Sequence, residues 1–205
     1  MADKDIRKND VLYIIILVDL MLPVDLLSSK IHPRCFMSQQ LKIEVPPDVA
    51  PSALREALGR SPTGVAVATT LDDLGRPVGL TINSYNSVSL EPALILWSLA
   101  LSSPSVDAFR DYGAFAVNIL HTEQSNLCKQ FSRWAPDKFE NVDWSRGYRD
   151  LPVLDGAMVT FECDTYQIVE GGDHEVYMGA VKRIHKTDSS PLVFHRGRLV
   201  ELADC

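Results

Sequence analysis

Beyond about residue 60, apolar and polar side chains alternate with a period of two more often than with the helical period, so the chain is predicted to be built mainly of strands. The clearest run is Val78, Leu80 and Ile82, interleaved with Gly79, Thr81 and Asn83. Gly64–Leu71 precedes it as a strand, and Asp72-Asp73-Leu74-Gly75 is the turn between them. Val88–Leu99 is a third run, and its Ala93–Leu99 end is apolar enough for a fully buried strand. Further strands are expected at Ala114–Leu120, Ala157–Val169, Glu175–Ile184 and Leu192–Leu202. Gly171-Gly172-Asp173-His174 is the tight connection between two of them.

Helices are few and short. Ser52 is placed to cap one that ends at Leu58 before Gly59, and Ser103-Pro104-Ser105 opens one that runs to Tyr112 before Gly113. Thr122 caps a third through Ser132, with Glu123 in its first turn, where the helix dipole favours an acid. Arg133–Pro152, rich in Trp, Asp, Arg, Gly and Pro, is the longest irregular stretch. Six or seven strands with short helices between them predict a mainly β fold, a closed antiparallel barrel. A doubly wound parallel sheet would need a helix after nearly every strand.

The first 36 residues follow another pattern. Residues 11–27 are strongly apolar, but Asp19, Pro23 and Asp25 interrupt them. A membrane-spanning helix needs about 20 mostly apolar residues, and buried carboxylates are costly there. No small-residue cleavage site follows the apolar core, as a signal peptide would require. Met37 is therefore the expected physiological start, with residues 1–36 an upstream extension outside the fold. Residues 37–60, with Pro46, Pro47 and Pro51, form an extended lead-in and a short helix, and 61–203 form one domain.

Composition narrows the function. The 205 residues are 46% hydrophobic, enough for a substantial core. A formal net charge of -7 argues against a nucleic-acid partner, so any anionic cofactor must be held by local basic groups, hydroxyls and backbone N–H groups. Cys35, Cys128, Cys163 and Cys205 form no Cys-x-x-Cys pair and stand at no metal-ligand spacing from a histidine, as expected of reduced thiols in a cytoplasmic protein. There is no Gly-x-Ser-x-Gly, P-loop, Gly-x-Gly-x-x-Gly or His-Glu-x-x-His, so nucleophilic hydrolases, P-loop enzymes and Rossmann enzymes lose their main support.

Three segments carry candidate chemistry. Thr81–Leu90 is loaded with hydroxyls and amides between two apolar strands, and Thr81, Asn83, Ser87 and Ser89 share one face if extended geometry continues. Such groups can hydrogen-bond the polar edge of a planar heterocycle without adding charge, although a solvated polar turn is the commoner use of this composition. Ser98–Ser105 joins a strand to a helix start, where backbone N–H groups and hydroxyls suit an anion; capping by Ser103 would explain one of its serines. In Gly171–His174 the glycines permit close backbone approach, and an Asp next to a His presents an imidazole or merely decorates an exposed turn. His32, His121, His185 and His195 support no metal site.

In this order, the segments resemble the flavin reductase-like family, whose members are FMN-binding split barrels of Greek-key type. The resemblance runs from about Ser61 to Leu202. Its pieces are Pro62-Thr63-Gly64-Val65, Thr81 through Pro92, Phe115–Leu120, Gly172-Asp173-His174 followed by Gly179, and His195-Arg196-Gly197-Arg198. The resemblance implies an NAD(P)H-dependent reductase of FMN or FAD. Thr63, Gly64 and the stretch Thr81, Ile82, Asn83, Ser84, Tyr85, Ser87, Val88 and Ser89 would line the flavin. The phosphate end would lie at the loop of Ser98, Leu99, Ser102, Ser103 and Ser105, and His174 with Asp173 would face the nicotinamide. A homodimer and a separate monooxygenase partner are also implied. The chain departs from the family pattern at Tyr85 (often Phe), Ala93 (often Pro) and Leu199 (usually aromatic). Rival readings are a non-enzymatic FMN carrier of the same fold, an interaction barrel with solvated serines, and an oxidase of a pyridoxine-like phosphate.

Overall fold

The computed structural model describes residues 49–202; the expectations for residues 1–36, for 37–48 of the lead-in, and for Cys35 and Cys205 lie outside it. In chain order the elements are α1 (Pro51–Leu58), β1 (Thr63–Gly64), β2 (Ala66–Leu71), β3 (Pro77–Ile82), β4 (Asn86–Leu90), β5 (Ala93–Ala100), α2 (Val106–Tyr112) and β6 (Ala114–Ile119). A 3₁₀ turn at Thr122–Gln124 then leads into α3 (Ser125–Ser132), β7 (Trp144–Arg146), β8 (Pro152–Leu154), β9 (Val159–Gly171), β10 (His174–Lys186), β11 (Val193–His195) and β12 (Arg198–Val200).

Seven strands form one sheet in the order β3-β2-β6-β9-β10-β5-β4, and every neighbouring pair is antiparallel. The outermost strands, β3 and β4, are joined by only Asn83-Ser84-Tyr85. In a flat sheet they would stand about 29 Å apart, at about 4.8 Å per strand step. Three linking residues cannot reach beyond about 14 Å. The sheet must therefore curl until its edges approach. Direction alternates at each step, so the first and seventh strands run the same way and no antiparallel ladder can close between them. The barrel is split for this reason.

Its interior is aromatic. Trp97 stacks on Tyr177 at 4.9 Å and 20°, and Phe109 and Phe115 meet both rings edge-on. Burying each such side chain contributes about 1.5–3 kcal/mol. A second cluster, with Val65, Val67, Leu127, Phe131 and Phe139, packs α3 and the following loop outside β2 and β3. Asn118 on β6 ties the strands together. Its amide donates to Val67 O and Thr69 Oγ1, and its oxygen accepts from Leu154 N and Thr160 Oγ1.

Several elements differ from the sequence reading, each for a local reason. α1 starts at Pro51 with no side-chain cap, because proline suits a first turn whose N–H has no helical partner. The run Gly64–Leu71 is two strands, since β1 pairs with β11 while β2 joins the barrel. Val88–Leu99 contains the β4–β5 hairpin, turning at Glu91-Pro92, and β5 alternates rather than being buried throughout. Ser103 does not cap α2 itself: the helix starts at Val106, and the Ser103 hydroxyl accepts from Ser105 N in the preceding turn. The cap expected of Thr122 belongs to His121, whose Nδ1 accepts from Glu123 N. The stretch 133–152 is not wholly irregular, for it holds β7 and the start of β8. Leu192–Leu202 contains a hairpin, β11–β12, that turns at Arg196-Gly197.

No helix among the described residues is long and apolar enough to cross a membrane. Cys128 and Cys163 are free thiols, and that of Cys163 is pushed up to about 12 by burial and by the neighbouring Asp164 and Glu162, which keeps it protonated at neutral pH.

Candidate functional site

A cleft of about 1200 Å³ runs along β3. Gly79, Thr81 and Asn83, Ser103 and Ser105, and Lys129 with residues 131–138 line it. Extended geometry breaks at Asn83–Tyr85, so Thr81 and Asn83 do not share a continuous strand face with Ser87 and Ser89. The crossing is instead pinned by its own side chains. The Ser84 hydroxyl accepts from Ser98 N at 3.0 Å and bonds Ser98 O at 3.3 Å, filling a place on the β5 edge that another strand would take. Asn83 Nδ2 donates to Thr63 Oγ1 at 3.3 Å. Tyr85 leans over Gly64 so closely that a Cβ there would lie 2.0 Å from the tyrosine oxygen. Burial pushes the Tyr85 hydroxyl above its ordinary pKa, so it stays neutral.

Of the residues singled out in the sequence, the cleft gathers Thr81, Ile82, Asn83, Ser103 and Ser105. Ile82 and Leu99 turn their side chains into the core, leaving only backbone groups for a ligand. The Thr81 hydroxyl donates to Cys128 O at 2.8 Å and keeps acceptor capacity. Thr63, Gly64, Ser84, Tyr85 and Ser98 shape the crossing, while Ser87 and Val88 are exposed and Ser89 half-buried on the edge strand β4. Ser102 is exposed beside the serine loop.

Asp173 and His174 do not line the cleft; they sit at the tip of the β9–β10 hairpin, where Gly172 takes φ +71° at the first turn position. His174 Nδ1 lies 2.7 Å from Asp173 Oδ1, which fixes the ring and leaves Nε2 for another partner. That bond also holds the Asp173 carboxyl below its ordinary value. Two links join this tip to the serine loop. Leu101 N donates to Asp173 O at 2.9 Å, and Arg110 on α2 binds both oxygens of Glu175, the residue after His174.

Glu175 also accepts from Tyr177 Oη at 2.9 Å, and the Arg110 guanidinium followed by this hydroxyl holds its carboxyl below 4.5 despite burial. A depressed carboxylate contributes stability that is full above the unfolded-state value and is lost as pH falls through the folded-state value. Arg110→Met removes the main cause, so its acid transition, followed by far-UV circular dichroism, should move to higher pH. An unmoved transition would deny Arg110 this role.

The basic residues of the cleft were not legible as a set. Lys138 Nζ donates to Gly79 O at 3.2 Å and to Phe131 O at 3.0 Å, and burial lowers its pKa. Lys129 and Arg133 line the same cleft and make no ion pair among the described residues. The only advance signal was the length and Trp/Arg content of 133–152, because long irregular stretches in compact domains tend to be functional. Hydroxyl and amide groups gathered in one cleft with ammonium and guanidinium groups fit a neutral polar ring bearing a phosphate. A flavin nucleotide has that chemistry. Phe194, the cross-strand partner of Leu199, also lines the cleft and supplies an aromatic where the departure at Leu199 had removed one.

Residues 58–203 match the family model described as flavin reductase like domain. The reductase component of a flavin-dependent trigonelline monooxygenase from Acinetobacter baylyi is 41% identical over 144 residues, 70% of this chain but 46% of that protein, so the chain spans about half the length of this curated relative. The FMN reductase (NADH) SmoA of Agrobacterium fabrum is 39% identical over 145 residues, covering 71% of this chain and 82% of its own length. Among solved structures, the NADH:FAD oxidoreductase SgcE6 of Streptomyces globisporus, in complex with NAD and FAD fragments, superposes with a TM-score of 0.71 at 32% identity, covering 74% of this chain and 92% of that one.

Proposed function

The chain belongs to the flavin reductase-like family, and from that premise we propose that it reduces FMN or FAD with NADH or NADPH and supplies the reduced flavin to a separate monooxygenase. The observation that carries this reading is the cleft along β3, which gathers neutral hydrogen-bonding groups and cations without ion-pair partners among the described residues. When bound, flavin supplies a two-electron acceptor for the hydride of a reduced nicotinamide. Thr81, Asn83 and the β3 backbone would hold its polar ring edge and side chain, and Ser103 and Ser105 would meet its phosphate. Lys138, half-buried beside them, adds positive charge that favours an electron-rich ring. None of these residues need act as a nucleophile.

His174, fixed by Asp173, would orient the nicotinamide nucleotide rather than serve as an obligatory base. His174→Ala should therefore raise the nicotinamide KM by about 2- to 12-fold, the worth of one hydrogen bond, while changing flavin affinity less. An unaltered KM would remove His174 from the site.

A homodimer is part of the same reading. Trp97 and Tyr177 point into the core, so their strand neighbours Leu96, Val176 and Met178 point outward beside the exposed Val169, an apolar face that a second copy would cover. We also assign the protein to the cytoplasm. The deciding experiment mixes the purified chain with each flavin and each reduced nicotinamide. Quenching of flavin fluorescence with rapid loss of the reduced-pyridine absorbance is expected, and the absence of both would end the reading.

A further inference from the structure

Trp134 is the most exposed large apolar side chain among the described residues, at 80%, yet it lines the cleft rather than an open face. The other two tryptophans behave differently: Trp97 is fully buried, and Trp144 packs edge-on against Phe139 at 5.7 Å. Exposing an indole forfeits one of the largest hydrophobic gains available to a folding chain, so the position invites a planar partner.

Its surroundings say which kind. Lys129 and Arg133 line the same cleft without ion-pair partners among the described residues. The acids of the cleft are already engaged: Asp72 accepts from the Arg76 backbone and side chain, and Asp137 from Phe139 N. The lining thus carries four cations, Arg76, Lys129, Arg133 and Lys138, against two acids, Asp72 and Asp137, in a chain whose net charge is -7. A cleft of about 1200 Å³ also exceeds the roughly 300–1,000 Å³ usual for one small ligand.

We infer that Trp134, with Lys129 and Arg133, is a stacking station for the adenosine-phosphate half of a dinucleotide. The inference rests on the reductase reading and deepens it by naming the half of the ligand that no other residue accounts for. An aromatic face takes a purine, and the two cations take its phosphate. Either FAD or the nicotinamide dinucleotide carries that chemistry.

The test compares ligands with and without the adenylate. Kd values for FMN and FAD, and KM values for NADH and reduced nicotinamide mononucleotide, are measured on the full chain, on Trp134→Ala and on Trp134→Phe. Loss of one stacked base is worth roughly 5- to 100-fold, so Trp134→Ala should lower either the FAD-over-FMN or the NADH-over-mononucleotide preference by that factor. Trp134→Phe should restore much of it. A fall in the first ratio identifies FAD as the source of the adenylate, and a fall in the second identifies the nicotinamide dinucleotide. If both ratios stay constant on a chain that binds flavin, the station is overturned and the reductase reading survives. If the unsubstituted chain binds neither flavin, both fall.

Discussion

Gly64→Ala is expected to weaken flavin binding about tenfold or more, and Tyr85→Phe in the same chain to recover most of the loss. The added Cβ would lie 2.0 Å from the Tyr85 oxygen and 3.1 Å from its Cζ. The first distance is impossible and the second merely tight, so removing the hydroxyl oxygen converts a clash into a small adjustment. Tyr85 cannot swing away freely, because it packs against the barrel core. Its displacement must be taken up by the crossing Asn83–Tyr85, which carries the Asn83 amide at the cleft wall. Overpacking of this kind costs about 1–3 kcal/mol, of which flavin affinity would register a tenfold share. Flavin titrations of the two single variants and the double variant give the coupling directly. Simple additivity of the two substitutions would refute the steric link.

Asn118→Ala carries the largest expected cost to stability, about 3–5 kcal/mol. Asn118 is fully buried, and its two donors and its acceptor oxygen are all engaged. Truncation strands the Leu154 N–H and the Thr160 hydroxyl at once and leaves a cavity, and each buried orphan costs about 1–3 kcal/mol before any partial relaxation. Thr69 suffers less, since its hydroxyl still donates to Pro152 O at 2.5 Å. Urea unfolding should report the loss as a lower midpoint with an unchanged slope. A variant within about 1 kcal/mol of the parent would mean that water replaces the amide.

How much of this was legible beforehand varies with the kind of information each segment carries. The period-two run at Pro77–Ile82 was readable because side-chain alternation is a local property. Gly113, with φ +69°, announced the end of α2 for the same reason. The break at Val65 was not readable. No turn residue marks it; the chain divides there because Thr63–Gly64 pairs with Val193–Phe194, more than a hundred residues away, while Ala66–Leu71 pairs with Pro77–Ile82. At Asn83–Tyr85 the sequence left extended strand and polar turn both open, because these three residues are as polar as those on either side.

The site divides along the same line. Its neutral wall at Thr81 and Asn83 lies in one short stretch that the family resemblance reached. The cationic side could not be seen, since Lys129 and Lys138 are brought together by the edge-on packing of Phe131 against Phe139, 5.0 Å between ring centres. His174 was found by its Gly-Asp-His context, but its link to the serine loop through Arg110 and Glu175 depends on a helix lying against a distant strand.

The opening in the barrel is a matter of parity. Strands that alternate up and down around a ring match at the join only when their number is even, and here it is seven. An antiparallel join between β3 and β4 would require gaining or losing a whole strand, so side-chain substitution alone cannot create one. The free edge of β3, whose residues line the cleft, is thus set by topology, while what meets it is left to the few side chains around it.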